Sequence, residues 1–136
     1  MQFRVSAIQD QGIPVSMNDA RCWLEDWINK ALEGADFGCS EANIMIVMFC
    51  TSSLPKAPPI SRLTTDGSGF SILALHVAMD PEIVQRTEPA NQLALLCSHI
   101  IRSLPMRPLR RPKGLDYERL RQALVACIQP LTQSAA

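Results

Sequence analysis

With 136 residues, 47% hydrophobic and 19% charged, the chain carries enough apolar material for one globular core and too much for a disordered segment. Its 13 Lys and Arg balance 13 Asp and Glu, for a formal charge of zero. That excludes a strongly basic nucleic-acid binder and a strongly acidic nucleic-acid mimic.

Phe3, Val5 and Ala7 alternate with Gln2, Arg4 and Ser6, which predicts a strand at about 2–9. Gly12 and Pro14 break the chain, and Ser16 with Asp19 three residues on reads as a capping-box-like helix start. Apolar positions then recur at three- and four-residue steps through Met17, Ala20, Trp23, Leu24, Trp27, Ile28, Ala31 and Leu32, and Gly34 supplies a left-handed stop, so a helix spans about 16–33. Asn43 to Thr51 is a continuous apolar run, suited to a strand buried on both faces. Three prolines at 54–59 preclude regular pairing there. Ile60–Thr65 and Phe70–Met79 flank Asp66-Gly67-Ser68-Gly69, the pattern of two strands joined by a hairpin turn. Asp80-Pro81-Glu82 opens a short helix, and a longer one restarts at Thr87-Glu88-Pro89 with Leu93, Leu96, Cys97 and Ile100 on its apolar stripe. Pro105, Pro108 and Pro112 keep the next stretch extended, after which Gly114 and Asp116 open a last helix that buries Tyr117, Leu120, Leu124 and Ile128.

The order β-α-β-β-β-α-α predicts a single α+β domain over 1–136, with 132–136 a loose tail. The expected architecture is an antiparallel four-stranded sheet with helices packed mainly on one face. The three later strands should run antiparallel, while the place of the first is left open.

Few residues suggest chemistry. His76 and His99 titrate near neutrality, yet no nucleophile, oxyanion turn or carboxylate stands at a recognisable spacing, so no catalytic residue is assigned. Gly67-Ser68-Gly69 lacks the Lys-Ser/Thr of a phosphate loop and leads into a strand. No cofactor or metal site follows from the sequence: the five cysteines (Cys22, Cys39, Cys50, Cys97, Cys127) include no CxxC pair and read as reduced thiols. The N-terminus lacks a signal-peptide apolar core, and the longest apolar run, Ile44–Cys50, falls short of the roughly 20 residues a membrane helix needs. A cytoplasmic protein without a membrane partner is expected. Trp23 and Trp27 share the helical stripe of Leu24 and Ile28 and read as core, with partner anchors as the alternative.

Charge is unevenly distributed. Residues 1–41 hold seven acids and three bases, whereas 102–121 hold seven bases and two acids. Either patch could steer a partner onto the surface. RPLRRPK at 107–113 lacks the aromatic interleaving of a nucleic-acid platform, so nucleic acid is not the expected partner.

Arg110 to Leu124, RRPKGLDYERLRQAL, resembles the K-G-L-D-[FY] opening of a final helix in small bacterial immunity proteins of polymorphic toxin systems. Ile8 to Val15, IQDQGIPV, is similar to their N-terminal half. The likeness implies a cytoplasmic antidote, of the contact-dependent growth inhibition type, that is no enzyme. It would bind the C-terminal domain of a cognate toxin, a nuclease, as a monomer or weak homodimer, and occlude its active site. A basic nuclease cleft would favour Asp19, Glu25, Asp26, Glu33 and Asp36; an acidic toxin surface would favour Arg107, Arg110, Arg111 and Lys113. A secretion or assembly chaperone is the alternative, and a small ligand-binding domain or enzyme using His76 or His99 a third reading.

Overall fold

Strand β1 (Gln2–Gln9) alternates apolar with polar residues because it lies at a sheet edge and buries one face. The structure, a computed structural model, describes residues 2–9, 15–38, 42–50, 61–65, 71–104 and 113–133. After β1 come helix α1 (Val15–Ala31) and strands β2 (Ala42–Cys50), β3 (Ser61–Thr65) and β4 (Ser71–Met79). Helix α2 (Pro81–Arg86), a 3-10 turn (Pro89–Asn91), α3 (Gln92–Ser103), α4 (Tyr117–Ile128) and a closing 3-10 turn (Gln129–Thr132) complete the described elements.

The strands form one mixed sheet in the order β1-β2-β4-β3. β1 pairs parallel with β2, and β2 parallel with β4; only β3 and β4 are antiparallel. The expected antiparallel sheet is therefore incorrect. Two physical facts account for the difference. Helix α1 carries the chain from the end of β1 back to the start of β2, which forces a parallel pair. The chain then skips a position before laying down β3, and β4 turns back into the gap, so β2 and β3 are neighbours in sequence without being paired. The continuous apolar runs of β2 and β4 match their central positions. The predicted Asp66–Gly69 turn and the 54–59 proline loop lie outside the described residues.

Register aligns Phe3 with Ile44 and Leu73, and Val5 with Ile46 and Leu75, so one sheet face presents fully buried apolar rows. Helices supply the opposing layer through Met17, Leu24 and Ile28 of α1, Leu96 and Ile100 of α3, and Leu120 and Leu124 of α4. Gln92 is a buried polar side chain. Its amide donates to the carbonyls of Val84 and Thr87, and its Oε1 accepts from the Ser16 hydroxyl. Ser16 therefore lies in the first turn of α1 and bonds α3, instead of capping its own helix as expected. Asp80 and Asp116 do cap: their carboxylates accept from Glu82 N at 2.9 Å and Arg119 N at 3.2 Å.

The segment after α1 and the segment leading into α4 meet backbone to backbone. Gly38 (φ +85°) and Gly114 (φ +87°) sit so close that a Cβ on Gly38 would lie 2.2 Å from the Gly114 carbonyl oxygen. Asp116 N donates to Phe37 O at 2.8 Å, and Phe37 and Leu115 are buried on either side. Every residue of the Gly114-Leu115-Asp116-Tyr117 segment is thereby accounted for structurally. Gly114 permits the close approach, Leu115 and Tyr117 enter the core, and Asp116 caps α4.

Candidate functional site

Helix α1 has three differently used sides. Its apolar side enters the core. One flank, Arg21, Glu25 and Asn29 at four-residue steps, lies along the open edge of β1. In a parallel pair, alternate residues turn both backbone groups to the same side, so Phe3 and Val5 face away from β2. Arg21 Nη1 donates to Val5 O at 2.6 Å, Val5 N donates to Glu25 Oε1 at 2.9 Å, and the Asn29 carboxamide bonds both N and O of Phe3. Three side chains replace the neighbouring strand. The sequence held the signal, polar residues four apart on a helix flank, but nothing in it named β1 as their partner.

The third side faces solvent. It carries Asp19, Trp23, Asp26, Trp27 and Lys30, and the turn after the helix adds Glu33. Trp23 and Trp27 stack with ring centroids 5.4 Å apart and planes 12° from parallel. Trp23 is 46% exposed and Trp27 38%, so the expectation that both belong to the core is incorrect. The stripe is wider than the core can take: Leu24 and Ile28 fill it completely, and the indoles are displaced to its rim. Trp27 is nevertheless fixed, because its Nε1 donates to the Cys127 carbonyl of α4 at 2.9 Å.

Of the acidic residues singled out from the sequence, Asp19, Asp26 and Glu33 are exposed. Glu25 is half-buried and engaged by β1. Asp36 is exposed, and its carboxylate accepts from Gly38 N at 2.8 Å, holding the turn that meets Gly114. The five are therefore split between an open surface and internal hydrogen bonding. In the basic group, Lys113 is exposed; Arg107, Arg110 and Arg111 lie outside the described residues.

His99 is half-buried on α3, where its Nδ1 lies 3.0 Å from Leu95 O, within reach to donate, and 3.4 Å from Arg102 Nη2. Burial holds its pKa below the usual value, the carbonyl opposing and Arg102 reinforcing that effect. The backbone of His76 lies in β4 opposite Val47. Cys97 is buried, Cys127 half-buried and Cys22 exposed, all as free thiols; Cys39 lies outside the described residues. Among the described residues no three His, Cys, Asp or Glu converge on a common point. Nor is any described helix long and apolar enough to cross a membrane. A hollow of about 500 Å³ lies between the α2–α3 connection and the closing turn, lined by Arg86, Glu88, Asn91 and Ser98 among others. Another of about 400 Å³ runs beside Val125 and Pro130.

Comparison of the chain with protein-family models, with curated proteins and with solved structures finds no match.

Proposed function

We propose that the chain acts by docking, as a cytoplasmic immunity protein that binds the C-terminal domain of a cognate bacterial toxin, a nuclease, and covers its active site. One observation carries the reading: the outward side of α1 presents two stacked, part-exposed indoles among Asp19, Asp26 and Glu33. Aromatic anchors give slow dissociation and surrounding charge gives rapid, selective encounter. The face is also preformed. Its helix is bonded to β1 on one flank and to α4 through Trp27, so docking need not order it first.

The test is co-expression with the protein that the gene adjacent to this chain's encodes, which the proposal expects to carry a toxin domain. Wild-type protein should restore growth and form a 1:1 complex that survives gel filtration, while Trp23→Ala with Asp26→Lys should lose both at unchanged protein level. Cell death despite abundant folded wild-type protein would overturn the proposal, and a stable homodimer that captures unfolded peptide segments would support the chaperone reading in its place.

A further inference from the structure

We infer that Trp23 is the seat of an arginine side chain from a basic protein partner, with the guanidinium lying flat on the indole and Asp19 and Asp26 supplying its counter-charge. This rests on the outward side of α1 being the docking face and adds which side chain it takes. Stacking on Trp27 covers one side of the Trp23 ring, and nearly half of the residue remains open to solvent. The pose is held from behind, since the bond from Trp27 to Cys127 fixes the inner ring of the pair. Trp23 is thus presented on a firm base.

Helical spacing places the carboxylates. Asp19 precedes Trp23 by four residues and Asp26 follows it by three, positions that neighbour Trp23 on the helix surface. Both are exposed, and no described cation forms an ion pair with either. An electron-rich ring between two carboxylates attracts a cation and repels a phosphate, which favours a protein partner over a nucleic acid. Arginine suits the arrangement better than lysine. Its planar guanidinium can stack on the indole while its edge N–H groups point outward to the carboxylates, whereas an ammonium is a compact, strongly hydrated point charge.

Both tryptophans of the chain lie in this patch, so its intrinsic indole fluorescence reports on nothing else. The experiment titrates the full chain with end-blocked tetra-arginine, tetra-lysine and tetra-glutamate peptides at low and high salt. Tetra-arginine should change the emission saturably and bind roughly fivefold more tightly than tetra-lysine, the margin an exposed cation–π contact supplies. Tetra-glutamate should do nothing. Asp19→Asn with Asp26→Asn should weaken tetra-arginine binding about tenfold. Trp23→Leu, read through Trp27, should abolish the preference for arginine; circular dichroism checks that both variants keep their helices. Equal binding of the two cationic peptides, undiminished arginine preference in Trp23→Leu, or no binding at all would each overturn the inference. The growth assay separates its failure from that of the immunity reading: rescue from toxin without any arginine preference sinks this inference alone, and arginine preference without rescue sinks the immunity reading alone.

Discussion

Asn29 and Phe3 are bonded as residues of adjacent strands would be: the Asn29 side chain accepts from Phe3 N at 2.9 Å and donates to Phe3 O at 2.8 Å. A carboxamide has the donor and acceptor of a peptide group, so a helix can end a sheet that would otherwise present unpaired backbone. Asn29→Ala should therefore destabilise the fold by about 1–3 kcal/mol, the cost of leaving backbone groups without partners. It should also promote self-association through the uncovered edge. Chemical denaturation and sedimentation check the two effects, and an unchanged unfolding midpoint would show that the bonds contribute nothing.

Glu25 and Asp26 are adjacent in sequence and differ in role, since Glu25 accepts from Val5 N while Asp26 faces solvent. Glu25→Lys should cost about 1–3 kcal/mol of stability by removing an acceptor and placing a cation beside a backbone N–H. Asp26→Lys should stay within about 0.5 kcal/mol of wild type, as surface changes do, and act on docking alone. Equal stability of the two variants would contradict the assignment.

Gly34 and Gly38 both adopt positive φ, +78° and +85°, yet only Gly38 is crowded. Gly34→Ala should cost about 1 kcal/mol, the strain of a left-handed alanine in open space. Gly38→Ala adds a collision with the Gly114 carbonyl and should cost clearly more, since two backbone segments must separate. Thermal melts of the pair measure the difference.

Burial pushes the Cys97 thiol up to about 12, with Cys127 adding to the rise, and pushes Cys127 itself up to about 11. Burial also drives the Tyr117 hydroxyl upward. Above pH 9 the unfolded thiols ionise while the folded ones stay neutral. The unfolded state then binds fewer protons, and stability falls with rising pH. Urea midpoints should be flat near pH 8 and decline from pH 9 to 11, less steeply in Cys97→Ala than in wild type. Parallel declines would rule out Cys97 as a source. His99, whose pKa is lowered, has the opposite sign: its contribution is complete above the unfolded value of 6.5 and is lost as pH falls through the lower folded value.

Local order was legible in the residues themselves. The alternation of β1, the apolar runs of β2 and β4, the Asp80 and Asp116 caps and the Gly34 stop each follow from backbone sterics and short-range hydrogen bonding, and the structure has them in place. The site was legible only in part. The acids of α1 could be named from sequence, whereas Glu25 and Asp36 turned out to hold backbone groups, and the indoles assigned to the core came to rest at its rim.

Pairing of β2 with β4, the Asn29–Phe3 bonds and the contact between Gly38 and Gly114 were decided by the tertiary structure alone. A periodic pattern states how much of a segment must leave water, and it is silent on which distant segment receives it. That choice is made by the whole core at once, where each strand takes the neighbour that leaves fewest backbone groups unbonded and least apolar surface wet.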